Sequence, residues 1–376
     1  MLDSTGAIPA YLWQQGSSAN ERMERIHDHL LEVYPDVDRI AFALYDPKSD
    51  LLKTFINSTR SGNAIHGYQY RLHESRSLSQ MAKSGECRVI DDVQANITPD
   101  NQHSSWLLEQ GYLSSFTIPL YDAGLFIGFL FFDSFRLQAF DSKMQRDLML
   151  YANLVNMSLS SEFAAVRTIL ASAQVARDFA GLRDFEIGAH LDRMAAYSRL
   201  IAREIAADAG LSDEAIEQIA LFAPLHDVGK IGIPDRVLLK PGALTEQERL
   251  LMESHVEKGE QIIHKIVGDF GLSHLPDSQI MINIVACHHE YLDGSGYPRG
   301  LKGEQIPIEA RIVTVADIFD ALSFNRPYKQ PWSLESCFEE LRCMAAAGKL
   351  DGRCVEALVA VRGEVQEIMG RLSDPE

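Results

Sequence analysis

Over the first 140 residues, apolar positions fall in short runs, several alternating with polar ones, as in strands that bury one face. The runs are 40–45, 51–56, 87–90, 116–120 and 125–132. The last two flank Tyr121-Asp122-Ala123-Gly124, which predicts a hairpin turn. Ahead of the first run, Met23, Ile26, Leu30, Leu31 and Val33 predict a helix. From residue 140 to about 183 the period changes. Met144, Leu148, Tyr151, Val155, Leu159, Phe163, Val166, Leu170 and Ala173 recur at gaps of three and four, with no proline between them. One long amphipathic helix is expected there, with an apolar seam that stays exposed unless a partner covers it. The remaining residues are expected to be helical.

Composition bounds this picture. A length of 376 residues suggests two or three domains, and 46% hydrophobic residues suffice for buried cores. The net charge of −18 argues against a general nucleic-acid binder, which would normally carry a basic surface. The five cysteines, Cys87, Cys287, Cys337, Cys343 and Cys354, form no Cys-x-x-Cys pair and are odd in number, so a reduced cytoplasmic protein is expected. Cys287 reads as a buried small residue rather than a ligand. No targeting segment is visible, and no apolar run approaches the length of a membrane span.

The second half holds most of the chemistry. Glu186, His190, His226, Asp227, His255, His288, His289 and Asp317 are all of metal-ligand type, and five of them are histidines. Imidazole with carboxylate suits iron, manganese, nickel, copper or zinc better than calcium. The positions fall in separate predicted helices, so the site would be built by side chains converging inside a helical bundle. Glu186 and His190 share a helix face. His226 and Asp227, adjacent, would diverge by about 100° on a helix and reach different sides of a cluster. An aspartate at 227 could bridge two ions. Two ions can neutralise a phosphodiester, activate water and clamp the leaving oxygen. In that chemistry a hydroxide held at Asp227 is the nucleophile, with Lys230 and Arg326 orienting the phosphate. Asp293-Gly294-Ser295-Gly296-Tyr297-Pro298 cannot continue the preceding helix and predicts a shaped loop beside two ligands. Glu290 is expected to support a ligating histidine.

His226-Asp227-Val228-Gly229-Lys230-Ile231-Gly232-Ile233-Pro234-Asp235 and His288-His289-Glu290-Tyr291-Leu292-Asp293-Gly294-Ser295-Gly296-Tyr297-Pro298 resemble the HD-GYP family of HD-domain phosphodiesterases. The order continues through Glu304-Gln305-Ile306-Pro307, the stretch from Arg311 to Leu322, and Arg326-Pro327-Tyr328, so the resemblance covers roughly 170–365. It implies hydrolysis of cyclic di-GMP by two or three divalent ions, most often iron or manganese. The eight residues above would be the ligands, and Glu186 goes with the three-metal form. It places Lys230, Arg326 and Lys329 near the substrate phosphates, although Lys329 reads equally well as a surface lysine. It also puts Gly296, Tyr297 and Pro298 beside the active site, in contact with diguanylate cyclase (GGDEF) proteins. Ser323-Phe324-Asn325 and the stretch from Gly348 to Arg353 depart from the family pattern and leave substrate fit open.

The first part resembles a GAF sensor domain, chiefly from Ile118 to Asp133. Its ligand is unknown: Cys87 is followed by Arg88 rather than the histidine common in bilin-binding members, and the cyclic-nucleotide signature is absent. The expected architecture is therefore a multidomain α+β chain. A GAF-like antiparallel sheet with helices occupies 1–140, a connecting amphipathic helix 141–183, and an all-α HD-domain bundle 184–376. The expected protein is a cytoplasmic cyclic di-GMP phosphodiesterase, homodimeric through the connecting helix and GAF domain. It would bind neither nucleic acid nor membrane. A phosphodiesterase for cyclic GMP-AMP and a catalytically weak adaptor acting through the Gly-Tyr-Pro loop are the alternatives.

Overall fold

A computed structural model describes residues 18–99, 102–179, 189–269, 278–324 and 331–372. Its contacts divide the chain into two compact units, Met1–Ala165 and Val166–Glu376.

In the N-terminal unit α1 (Ala19–Leu31) leads into β1 (Arg39–Asp46), β2 (Leu51–Thr59) and β3 (Gln69–Arg71). After α2 (Arg76–Ser84) come β4 (Arg88–Ile90), α3 (Val93–Asn96), α4 (Gln102–Gln110), β5 (Ser114–Asp122) and β6 (Leu125–Ser134). All five expected strands form; β3, three residues long, is too short for its alternation to register. The strands make one antiparallel sheet in the order β3-β2-β1-β6-β5-β4. The expected hairpin turn joins β5 to β6, with Ala123 and Gly124 both at positive φ as a tight two-residue turn requires. This is the antiparallel sheet with helices that the GAF resemblance implies.

Alternation along the strands divides the sheet into two faces. Ile40, Phe42, Phe116, Ile118, Leu130 and Phe132 pack against α1 and α5 (Ser142–Phe179). Met144, Leu148, Tyr151, Val155 and Leu159 of α5 are all buried in that core, and Phe163 packs against it. From Met144 to Phe163 the seam expected to stand exposed without a partner is thus covered by the unit's own sheet, whereas the side chains of Leu170 and Ala173 lie outside the described residues. Each fully buried side chain of this kind contributes roughly 1.5–3 kcal/mol before the opposing conformational entropy. The opposite flank of α5 is where apolar surface remains, at Leu150, Leu154 and Met157, 63%, 41% and 69% exposed. Val33, expected on the buried face of the first helix, lies beyond its end and is exposed.

In the other unit the regular elements beyond α5 are all helical among the described residues, as expected. They comprise α6 (Ala189–Ala209), α7 (Asp213–Phe222), α8 (Asp235–Leu238), α9 (Glu246–Glu253), α10 (His255–Asp269) and α11 (Ser278–Cys287). The remaining helices are α12 (Ile308–Ser323), α13 (Leu334–Ala346), α14 (Gly352–Ala360) and α15 (Arg362–Arg371). The starts are chemically marked: Ser212 caps α7, and Thr245 with Glu248 forms a reciprocal capping box on α9. α6 lies against α7, α12 and α14. Its Tyr197 meets Phe319 of α12 edge-on at 5.0 Å, and α11 packs alongside α12.

Candidate metal centre

His226 and Asp227 do not lie on a continuous helix. His226 closes a 3-10 turn at Ala223–Leu225, and Asp227 precedes a second at Val228–Gly232. The break cancels the expected divergence, and both side chains reach the same interior. Lys230 comes back toward Asp227 as its spacing predicted, with Nζ 2.6 Å from Oδ2. Gly229 fixes what lies opposite. A Cβ there would stand 1.9 Å from the carbonyl oxygen of His255 and 2.4 Å from the Gly259 nitrogen. Only glycine lets this turn sit on the start of α10, which brings His255 Nε2 to 3.2 Å from Asp227 Oδ1.

The other histidines arrive from separate elements. His190 projects from α6, His288 and His289 directly follow α11, and Asp317 is on α12. Thr314 Oγ1 donates to the His288 carbonyl at 2.7 Å, tying the end of α11 to α12. Two groups of potential ligand atoms result, each within 4.8 Å of one another: Asp227, His255, His288 and His289; and His190, His226 and Asp317. Asp227 spans both, with Oδ2 3.3 Å from His226 Nε2 and Oδ1 facing His255 and His288.

Hydrogen bonding decides which nitrogens face inward. A carbonyl or carboxylate oxygen only accepts, so a ring nitrogen bonded to one carries the proton. His226 Nδ1 donates to the Ala223 carbonyl at 2.8 Å, His255 Nδ1 to Met252 at 2.7 Å, and His288 Nδ1 to Val285 at 3.1 Å. His190 Nδ1 donates to Asp320 Oδ2 at 2.7 Å. In the neutral rings each Nε2 therefore carries a lone pair. His255 and His288 turn two such lone pairs toward each other at 3.5 Å, an arrangement that a cation between them would relieve. Burial, aided by neighbouring histidines, pushes the proton affinity of His288 and His289 down and keeps both as ligand-ready imidazoles. Burial acts the same way on His226, but Asp227 outweighs it and raises the ring's proton affinity. The attraction would serve a metal ion equally, since proton and metal compete for one lone pair. Burial would raise Asp227, yet Lys230 and His226 hold it well below the usual carboxylate range. His226 Nε2 and Asp227 Oδ1 are buried without a hydrogen-bond partner, and the donor set fits divalent ions.

The sequence reading missed the residues behind the ligands. Asp320 accepts from His190 and also from Arg193 Nε and Nη2, at 2.6 and 3.1 Å; both Asp320 and Arg193 are buried. Their spacing was a signal, because Asp320 follows Asp317, and Arg193 follows His190, by three residues on one helix. Glu290 does not support a histidine as expected. Its carboxylate accepts from the backbone N–H groups of Arg299 and Leu301 at 2.7 and 2.9 Å, closing the glycine-rich loop. Within that loop Gly296 packs where a Cβ would be 2.4 Å from both the His289 oxygen and the Tyr291 nitrogen. The Tyr297 ring thereby stacks on His289 at 4.7 Å, and Pro298 follows it. Cys287 is buried, as expected, beside the Arg299 guanidinium. Glu186, Arg326 and Lys329 lie outside the described residues.

Residues 185–354 match a family described as HD domain. The cyclic di-GMP phosphodiesterase response regulator RpfG of Xanthomonas campestris is 45% identical over 192 residues, 51% of this chain and 47% of that protein. A cyclic di-GMP phosphodiesterase of Thermotoga maritima is 43% identical over 193 residues, 51% of this chain and 49% of its own. The 3'3'-cGAMP-specific phosphodiesterase 2 of Vibrio cholerae is 42% identical over 193 residues, 51% of this chain and 34% of its own. The chain thus spans about half, or less, of the length of these curated relatives. The phycocyanobilin-bound GAF domain of a cyanobacterial phytochrome aligns with 39% of this chain and 86% of its own, at 11% identity and a TM-score of 0.32. Residues 185–354, with their inward-facing imidazoles and two carboxylates, are an HD domain.

Proposed function

We propose that this chain is a metal-dependent phosphodiesterase that hydrolyses cyclic di-GMP to linear pGpG, GMP or both, under control of its N-terminal unit. The observation carrying this reading is the set of four imidazoles held as Nδ1–H tautomers, with Nε2 turned toward Asp227 and Asp317. His190, His226 and Asp317 would hold one ion, and Asp227, His255, His288 and His289 another, with Glu186 serving a third. When bound, such ions, iron or manganese, supply charge neutralisation at the phosphate and an acidified water.

The chain's own residues do the positioning. Asp227, with both oxygens turned inward, holds the attacking oxygen, and Lys230 places its ammonium where the phosphate enters. Arg326 and Lys329 are assigned to the phosphates, and Gly296, Tyr297 and Pro298 to the rim. Stacking of Tyr297 on His289 supports the rim assignment. That same loop is the proposed contact for diguanylate cyclases. The free cysteines fit a reducing cytoplasm. Homodimerisation is assigned to the Leu150, Leu154 and Met157 flank of α5, since the other seam is covered; light scattering of Met157→Lys tests it, and an unchanged dimer refutes it.

Cyclic GMP-AMP is the second substrate reading, favoured by the 42% identity to a relative named for that messenger. The test is turnover of both dinucleotides by anaerobically purified protein with iron(II) or manganese(II), beside Asp227→Ala. Metal-dependent cleavage lost in the variant is expected, with the preferred dinucleotide naming the substrate. A metal-loaded protein that cleaves neither supports the adaptor reading instead.

A further inference from the structure

The face of the N-terminal sheet turned away from α1 and α5 is not uniformly apolar. Arg39 of β1, Asp133 of β6 and Ser115 of β5 stand opposite one another across three strands. One rung along, Ala41, Phe131, Thr117 and Arg88 do the same across four. Cross-strand partners point to one face, and so do residues two apart, so both guanidiniums project from the same side of the sheet. A cavity of about 250 Å³ opens there, with Arg39, Arg88, Leu52, Ile65, Leu78 and Phe131 in its wall.

The charges in this wall do not balance internally. Asp133 pairs with Arg39 at 2.5 Å and accepts from Ser115 Oγ at 2.7 Å. Lys53, also in the wall, pairs with Asp46. Arg88 donates through Nη1 to Ser77 Oγ, and among the described residues no carboxylate pairs with it. The Nε atoms of both Arg88 and Arg39 are buried without a hydrogen-bond partner, and so is Thr117 Oγ1 beside them. A buried guanidinium stays charged, and leaving its donors unmatched costs the full desolvation of each. Burial pulls against the charge of Arg88, and only Asp133, at a distance, acts to keep it.

We propose that this cavity binds a small organic anion, its carboxylate or phosphate head on Arg88 and Arg39 Nε and its ring-sized apolar body against Leu52, Ile65, Leu78 and Phe131. The volume lies just below the ~300–1,000 Å³ of typical ligand pockets, so the body is a single ring rather than a tetrapyrrole or a dinucleotide. The site lies in the N-terminal unit and does not depend on the phosphodiesterase reading.

Trp106 gives a local reporter, because the Arg39 guanidinium lies 4.6 Å from its ring centroid. The chain has three tryptophans, so 5-fluorotryptophan protein shows one fluorine resonance for each, and Trp106→Phe assigns the reporter. Benzoate, phenyl phosphate, benzamide and benzylamine are titrated into the full chain by calorimetry and fluorine NMR. The expected result is that benzoate or phenyl phosphate binds and shifts the Trp106 resonance while the neutral and cationic probes do not. Whichever binds better identifies the head group. Arg88→Gln should weaken that binding about tenfold to a hundredfold, and Arg88→Lys less, because a charge-assisted hydrogen bond is lost in the first and replaced in the second. Absence of binding by both anions up to 10-millimolar-order concentration, equal binding of benzamide, or an unchanged affinity in Arg88→Gln would each overturn the proposal.

Discussion

Asp320→Asn tests the tautomer argument on which the metal centre rests. In the native chain the Asp320 carboxylate accepts from His190 Nδ1 and from Arg193 Nε and Nη2. An asparagine has one accepting oxygen. The guanidinium, 1% exposed, has the stronger claim to it. The amide NH2 then faces His190 and donates to Nδ1, moving the ring proton to Nε2 and removing the lone pair aimed at His226 and Asp317. Loss of such a supporting partner typically costs 10- to 100-fold in metal affinity, or about 1.4–2.7 kcal/mol. Arg193 also loses its buried counter-charge, for which truncation costs about 3–5 kcal/mol. Donation to the Leu372 carbonyl and stacking 3.5 Å above Phe324 retain part of that, so the loss should lie near the lower end. A domain with the usual ~5–15 kcal/mol would stay folded but melt earlier. The assay is metal content per chain by mass spectrometry after dialysis against weak chelator, with urea unfolding in parallel. The expected variant is folded and short of one ion. Native metal content together with a loss of unfolding free energy below about 1 kcal/mol would refute both the tautomer assignment and the counter-charge role.

Gly229→Ala should be among the most damaging single-methyl changes, since the added carbon meets backbone of α10 rather than a movable side chain. A loss of about 3 kcal/mol, with metal lost where Asp227 meets His255, is expected from urea unfolding and metal analysis, and a variant with native values of both would contradict the close-approach account. Glu290→Gln should leave metal content intact but raise amide hydrogen exchange at Arg299 and Leu301, whose N–H groups its carboxylate receives; unchanged protection there would show that the loop is held by other contacts. In the N-terminal unit, burial would raise the Asp46 carboxyl, but Lys53 and Ser49 hold it down at about 2 against an ordinary 3.8. Because its folded value is depressed, its contribution of about 2 kcal/mol is complete above pH ~4 and is lost as pH falls through about 2. Asp46→Asn should therefore be less stable than the native chain at pH 6 but nearly equal near pH 2, as read by urea midpoints, and a gap that persists undiminished in acid would argue against the ion pair.

Local pattern was enough to find five of the six strands of the N-terminal sheet, because period-two alternation and a turn with glycine leave few other conformations open. It was likewise enough to find the ligand types, because chemistry needs particular side chains and the motifs carry them in order. The seam of α5 shows where pattern stops. A helical stripe reveals that a face must be covered but not by what, and only the tertiary structure laid Met144 to Leu159 against the unit's own sheet. His226 and Asp227 show the same limit at the site: helical spacing sends them apart, whereas a break between two 3-10 turns turns both inward. Which nitrogen of each histidine faces the centre was also beyond the sequence, since it follows from carbonyls and a carboxylate on other turns and helices. Glu290 was readable as a supporting residue, but its partners are backbone amides brought back by the loop itself. Arg39 and Arg88, far apart in the chain and unremarkable there, gain their meaning only from strand register, which sets two guanidiniums on one face of a sheet and leaves both short of an acceptor. Residue identity sets what a side chain can do, and periodicity sets which way it faces locally. Convergence of charges and lone pairs from distant elements is a property of packing alone.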